Sequence, residues 1–215
     1  MDIVYLGHSS FRIISKKVAL VTDPFDPKMV GLKYPKVKAD IVTISHDHND
    51  HNYIDGVDGV KKIISGPGEY EIEGISVIGI PSFHDNEQGK KRGQNVIYLI
   101  EAEDLRLCHL GDLGHTLSKD LIDAIGEVDV LMIPVGGEYT IGAKEAEAVV
   151  RDIDPKIIIP MHYKLPGMTD AFSALEGVEA FVAALGIKHL HESKLTIRAG
   201  SLPEEDKTCV VLELK

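Results

Sequence analysis

The segment Ser45-His46-Asp47-His48-Asn49-Asp50-His51 places three imidazoles and two carboxylates within six residues. Imidazole nitrogen and carboxylate oxygen are good ligands for zinc, iron or manganese. The i, i+2 spacing lets His46 and His48 converge on one ion from an extended loop, and Asp50 and His51 are then free to face a second. Any one of these histidines alone reads as a surface or hydrogen-bonded imidazole; the set together reads as a metal site. No thiolate is present to select zinc, so two divalent ions are expected, with zinc or manganese first and iron or nickel as alternatives.

Such a cluster needs rigid elements behind it. Ile41 to Ile44 is a short apolar run that ends at the cluster and reads as a buried strand. Before it, Ile3 to Leu6, Phe11 to Ile14 and Val18 to Val21 read as three strands of an antiparallel meander, punctuated by Gly7, the Lys16 and Lys17 pair, and Pro24. After it come strands at Ile63 to Ile64, Tyr70 to Ile72, Ile75 to Ile80, Asn95 to Glu101, Leu105 to Leu110, Val130 to Ile133, Ile157 to Ile159 and Cys209 to Leu214. Helical periodicity falls after Ser118, over Ala143 to Arg151 and over Ala171 to Leu185, the last closed by Gly186. Strand groups interleaved with helices point to an α/β fold: a four-layer αββα sandwich of two mixed sheets with helices on the outer faces.

With 215 residues, 44% hydrophobic and 27% charged, the chain is expected to form one domain over residues 1–215. No apolar stretch approaches a membrane span and no secretory leader is recognisable, so neither insertion nor export is expected. Cys108 and Cys209 each sit in an apolar run, which fits buried thiols in a reducing cytoplasm. The net charge of −11 and the lack of a long basic run argue against long nucleic acid as a partner. A small substrate anion is a different matter, because two divalent cations would offset about four negative charges where it sits. Lys90, Lys91 and Arg92 form the one basic cluster, read as a solvated loop or as an anion contact. Homo-oligomerisation is left open.

The cluster matches, without substitution, the H-x-H-x-D-H signature of the metallo-β-lactamase superfamily, and the chain resembles that family further along. Its later ligands correspond to His84 in Pro81-Ser82-Phe83-His84-Asp85, Asp112 in Leu110-Gly111-Asp112 and His162 in Ile158-Ile159-Pro160-Met161-His162. The resemblance implies that His46, His48 and His84 hold one metal, that Asp50, His51 and His162 hold the other, and that Asp112 bridges them. A water acidified by such a pair is a hydroxide nucleophile near neutral pH, suited to lactone, ester, thioester or phosphodiester cleavage. Gly7-His8-Ser9-Ser10-Phe11, Thr22-Asp23-Pro24 and the Pro81 to His84 motif resemble the L-ascorbate-6-phosphate lactonase-like branch. The third motif departs from the Gly-His-Thr-x-Gly-His form of glyoxalase II and of the antibiotic-degrading enzymes, which lowers the expectation of those activities.

The expected function is therefore a dinuclear metal-dependent hydrolase of a small phosphorylated or cyclic ester, of lactonase or phosphodiesterase type, with Asp50 and Asp112 in the reacting centre. The alternatives are an iron-containing redox or sensing protein on the same fold, a nuclease-type phosphodiesterase, and a binding protein with a structural metal. Four further positions carry open readings. His8 is a donor behind the ligands, a substrate contact, an extra ligand or a turn histidine; Asp23 orients a liganding histidine or caps the turn before Pro24. His115 is a proton donor to the leaving group, a phosphate contact or a loop histidine. His109 reads as packed or hydrogen-bonded within its strand, and His189 and His191 carry no assigned chemistry. The loop Gly136-Gly137-Glu138-Tyr139-Thr140 reads as a turn or an anion contact, and Glu69 as a turn residue or a substrate lip.

Overall fold

A computed structural model describes residues 1–203 and 206–215. Strands β1 (Asp2–Gly7), β2 (Ser10–Ser15) and β3 (Val18–Thr22) form the antiparallel meander expected from the sequence. On β1 the pleat sends Ile3 and Tyr5 into one apolar cluster and Val4 and Leu6 into another, and all four are buried. This sheet is therefore covered on both faces. The chain continues through helix α1 (Pro27–Val30), β4 (Val37–Lys38), β5 (Ile41–Thr43), β6 (Val57–Asp58) and β7 (Lys62–Ile64). Strands β5 and β7 extend the sheet in parallel from β3, whereas β4 and β6 pair as a separate ribbon. Val37 and Val57 of that ribbon share a cluster with Val4, Leu6, Val21 and Val42, so it covers the sheet's outer face.

The second half supplies β8 (Gly68–Ile72), β9 (Ile75–Phe83), β10 (Gln94–Ala102), β11 (Leu105–His109), α2 (Lys119–Ile125), β12 (Val130–Pro134), α3 (Ala143–Ile153), β13 (Ile157–Met161), α4 (Val178–Leu185), β14 (His189–Glu192), β15 (Leu195–Thr196) and β16 (Thr208–Leu212). The sheets run β15-β1-β2-β3-β5-β7 and β14-β16-β13-β12-β11-β10-β9-β8, and both mix parallel with antiparallel pairs. Between them lies a core built from Ile3, Tyr5, Phe11, Ile13 and Leu20 on one side and Val77, Tyr98 and Leu107 on the other. The architecture is the four-layer α/β sandwich, with α2, α3 and α4 outside the larger sheet. No described helix is long and apolar enough to cross a membrane.

The helices show where periodicity misleads. Ser118 caps α2 by accepting from the Leu121 amide, as its position before an apolar repeat predicts. The expected helix from Ala171 to Leu185 is shorter: a 3-10 turn at Asp170–Phe172 is followed by extended Gly177, and α4 begins only at Val178. Phe172 and Leu175 turn away to join Phe25, Val30 and Leu32, and the Glu176 amide donates to Gly136 O. Tertiary packing thus overrides the helical spacing, and Gly186 ends α4 in the left-handed conformation.

One contact across the core bears on the site directly. The Tyr98 hydroxyl of β10 donates to Ile44 O at 2.9 Å and lies 3.2 Å from Ile64 O, tying the ends of β5 and β7 to the opposite sheet. Removing only that hydroxyl, in Tyr98→Phe, leaves Ile44 O without its buried donor and is expected to cost about 1–3 kcal/mol in urea unfolding. An unchanged unfolding midpoint would refute this role.

Candidate metal centre

The prospective ligands all leave strands at one end. His8 follows β1, Asp23 follows β3, the His46 to His51 loop follows β5, His84 follows β9, Asp112 follows β11 after a short turn, and His162 follows β13. Within the first sheet β1, β3 and β5 run in one direction, and within the second so do β9, β11 and β13. The groups therefore emerge from carboxyl ends at a common edge. The His162 amide donates to His8 O at 2.9 Å and joins the two edges there. His8, Asp23 and His162 take positive φ values of 54°, 37° and 52°, uncommon for residues other than glycine, and each of the three is in contact with a member of the ligand cluster. Gly136 serves the same packing, since a Cβ there would run into His162 O.

Asp112 stands at the centre. Its Oδ2 lies 3.2 Å from His51 Nε2, 3.2 Å from His84 Nε2, 3.1 Å from His162 Nε2 and 3.9 Å from His46 Nε2. Yet Nε2 of His46, His51 and His162 and Oδ1 of Asp112 are buried without a hydrogen-bond partner among the described residues. Three ligand groupings have atoms within 4.8 Å of one another: His46, His48 and His84; His8, Asp50, His51 and His162; and His46, His51 and Asp112. His48 is exposed and stands at the mouth, whereas the other histidines named are buried.

Hydrogen bonds on the far side of the rings decide what the inward nitrogens are. Asp23 Oδ2 is 2.9 Å from His51 Nδ1 and must accept from it. The same oxygen accepts from Ser45 Oγ at 2.6 Å, so Ser45 Oγ in turn accepts from His46 Nδ1 at 2.9 Å. With both Nδ1 atoms protonated, His46, which burial keeps neutral, presents a lone pair toward the Asp112 carboxylate, and His51 does the same in its neutral form. Lone pairs do not converge on an anion unless positive charge lies between them, and buried polar atoms left unpaired are costly. The donor set therefore fits metal ions. Asp23 holds two of the rings in orientation, the arrangement seen behind many metal-bound histidines.

Two strand side chains, Asn95 and His109, position Asp112. The Asn95 side chain donates to Ser82 Oγ and Leu110 O while accepting the Asp112 amide at 2.9 Å. His109 Nε2 donates to Ser9 O at 2.9 Å and Nδ1 accepts the Gly111 amide. Gly111 has φ 56°, and a Cβ there would meet Asn95 Oδ1 and Ser45 Cβ. Asn95 and Ser45 escaped the sequence reading; the one available signal was an amide side chain opening an otherwise apolar strand.

Two of the rings are held neutral by their burial. Burial chiefly lowers His46 to about 3 and His8 to about 4. For His51 burial acts against the charge, but Asp112 and Asp50 overcome it and raise the ring well above its ordinary value. Burial likewise opposes ionisation of Asp112 and Asp50, and the neighbouring histidines outweigh it, holding both far below the carboxylate range. An ionised Asp50 can only accept, so His8 Nε2 donates to Asp50 Oδ2 across 3.2 Å.

The remaining candidates fall elsewhere. His115 uses both ring nitrogens on backbone, accepting from the Phe83 amide and donating to Thr116 O, so the structure does not bring it into the ligand cluster. Glu69 lies exposed on the edge strand β8. His189 and His191 are exposed on β14, at the far edge of the larger sheet. A cleft of about 430 Å³ opens over the cluster, lined by His48, Asp50, His84 and Asp112 together with Met29, Asp47, Asn49, Arg92, Tyr139, Ala171 and Phe172.

Residues 2–162 match the family model described as a β-lactamase superfamily domain. The chain belongs to the β-lactamase superfamily. Among its relatives, a UPF0173 metal-dependent hydrolase of Methanopyrus kandleri is 31% identical over 196 residues, covering 76% of this chain and 84% of that protein. Another of that name from Thermococcus onnurineus is 28% identical, over 84% of this chain and 94% of the relative. A crystal structure of a candidate Zn-dependent hydrolase of the metallo-β-lactamase superfamily, from Thermotoga maritima, superposes with a TM-score of 0.78 at 37% identity, covering 98% of each chain. The family is one of metal-dependent hydrolases, and in this member the strand-end cluster is the part able to bind metal ions.

Because Asp23 orients His51 directly and His46 through Ser45, Asp23→Ala frees two rings at once. Metal affinity is expected to fall by roughly 10–100-fold, read by competition with a fluorescent chelator. Retention equal to the unaltered protein would contradict the assignment.

Proposed function

We propose that this β-lactamase superfamily member is a dinuclear metal-dependent hydrolase of small cyclic or phosphorylated esters, of lactonase or phosphodiesterase type. The observation that carries the reading is the convergence on Asp112 Oδ2 of ring nitrogens whose outer hydrogen bonds leave lone pairs facing inward. His46, His48 and His84 would hold one ion and Asp50, His51 and His162 the other, with Asp112 between them. Zinc and manganese both suit imidazole and carboxylate donors, and iron or nickel would be accepted by the same set.

Two bound divalent ions supply an acidified water and Lewis acidity toward a carbonyl or phosphoryl oxygen. The chain's own residues do the rest. Asp23 and Ser45 fix the rings, and His8 holds Asp50 in place and keeps a proton at Nε2, beside the carboxylate. Phe172, Met29 and Ala171 give the cleft an apolar wall that limits water around the substrate. A cleft of about 430 Å³ fits a small molecule better than a polymer, in keeping with the −11 charge.

Stripped protein reloaded separately with Mn²⁺ and with Zn²⁺ is to be assayed on lactones, p-nitrophenyl esters and bis(p-nitrophenyl) phosphate. Turnover of at least one class is expected, with Asp112→Ala reducing it by more than about a hundredfold, beyond the loss typical of residues behind the ligands. Activity on lactones alone would exclude the phosphodiesterase form. Inertness toward all three classes, or full activity in Asp112→Ala, would overturn the proposal.

A further inference from the structure

Arg92 has no part in the metal cluster, yet it lines the same cleft as His48, His84 and Asp112. It is the only cationic residue other than histidine among the cleft-lining residues. Its guanidinium carbon sits 5.2 Å from the centroid of the Tyr139 ring, a contact that holds the group against the ring without using its N–H donors. Tyr139 is itself anchored, its hydroxyl donating to Ala171 O at 2.6 Å. Among the described residues the Arg92 guanidinium makes no ion pair, whereas Arg106 pairs with Glu101 and Arg151 with Glu147. A half-buried arginine with unused donors in the cleft over the ligand cluster is placed to receive an anion.

The loop that presents it is tied to the ligands. Residues 84 to 93 connect β9 to β10, and the loop closes on itself where the His84 amide donates to Gly93 O at 3.1 Å. Asp85, next to the ligand His84, accepts four backbone amides: Glu87 and Gly89 on Oδ1 at 2.8 and 2.9 Å, Lys91 and Arg92 on Oδ2 at 2.9 and 2.7 Å. The Arg92 backbone is thereby held in fixed relation to His84. Lys90 and Lys91, its neighbours in sequence, are exposed and do not line the cleft.

Charge points the same way. Two divalent cations would be about balanced by the cleft carboxylates Asp47, Asp50 and Asp112 and by Asp23 behind His51, and Arg92 adds a positive charge that has no carboxylate partner among the described residues. Like charges held near one another in a partly dehydrated cleft are unfavourable until an anion lies between them.

We infer that Arg92 is a specificity-determining residue that recognises a second anionic group, carboxylate or phosphate, on the substrate of the hydrolase proposed above. The planar guanidinium matches either group in a two-pronged contact. The substrate class is thus an ester, lactone or phosphodiester that carries an additional negative charge away from the bond that breaks.

The inference rests on the hydrolase reading, and a binding experiment separates the two. Zn²⁺-loaded protein is titrated calorimetrically with butyrate, with glutarate and with phosphonoacetate, in parallel with Arg92→Gln and with Lys90→Gln as a control for loop charge. The unaltered protein and Lys90→Gln are expected to bind at least one of the two doubly anionic probes about tenfold more tightly than butyrate. In Arg92→Gln the difference should shrink to within about twofold. Preference for glutarate alone assigns a carboxylate, and preference for phosphonoacetate alone assigns a phosphate-like group.

Equal binding of all three probes by the unaltered protein overturns the inference, as does a preference that survives in Arg92→Gln or is lost equally in Lys90→Gln. An Arg92-dependent preference in a protein that hydrolyses none of the esters tested above leaves the anion site standing and removes the hydrolase. Hydrolysis of p-nitrophenyl butyrate without any such preference does the reverse.

Discussion

Four imidazole nitrogens face one buried carboxylate oxygen, and two of those rings have already placed their protons elsewhere. That conflict is the constraint on which the cavity depends. It would be cheaper to turn His46 and His51 over, yet the Asp23 and Ser45 hydrogen bonds prevent it. The structure therefore keeps electron-rich atoms together at a cost in local stability, and bound cations resolve the cost. Protein charges do so only in part, by protonating His51, one ring among several.

Holding such an arrangement explains otherwise unrelated features of the fold. All the strands that carry ligands point their carboxyl ends to one edge, which lets side chains distant in sequence meet without long loops. The left-handed residues His8, Asp23 and His162 sit where the chain turns sharply off β1, β3 and β13. Such conformations persist only where neighbours enforce them, and here the His162 to His8 backbone bond and the Asp23 bonds to Ser45 do so. Asn95 and His109 play the corresponding part for Asp112, each satisfying both of its hydrogen-bonding ends within the core. Apart from His8 Nδ1, Ser9 Oγ, Thr43 Oγ1 and Arg106 Nε, the buried side-chain polar atoms left without a partner among the described residues all belong to the prospective ligands His46, His51, His84, Asp112 and His162.

How much of this the sequence disclosed depends on how local each feature is. The His46 to His51 cluster was legible because its ligands are neighbours in the chain, whereas His84, Asp112 and His162 were read only through the motifs by which the chain resembles the metallo-β-lactamase superfamily. The longer strands were legible as apolar runs between turn residues, and the short β4, β6, β14 and β15 were not. Asn95 and Ser45 were not, since their roles exist only through partners brought by other strands. The segment from Ala171 was misread because Phe172 and Leu175 keep a helical spacing while packing outward onto Phe25 and Leu32. Arg92 stood between a solvated loop and an anion contact until folding set it against Tyr139 and inside the cleft.

The division of labour in the cleft follows from those facts. The ligand set is imidazole and carboxylate throughout, so it discriminates poorly among first-row metals and among acyl and phosphoryl centres. Discrimination must then come from groups that the metals do not engage. On the cleft wall these are few: apolar Met29, Ala171 and Phe172, the polar Asn49 and Tyr139, Asp47, which accepts from the Asn52 side chain, and the charge of Arg92. Apolar walls separate substrates weakly, by about 1–3 kcal/mol per methylene-sized difference, whereas an unpaired polar group penalises every ligand that fails to satisfy it. The residue best able to narrow the substrate range is thus the one whose donors the fold has left unused, and it lies on the loop that begins at the ligand His84.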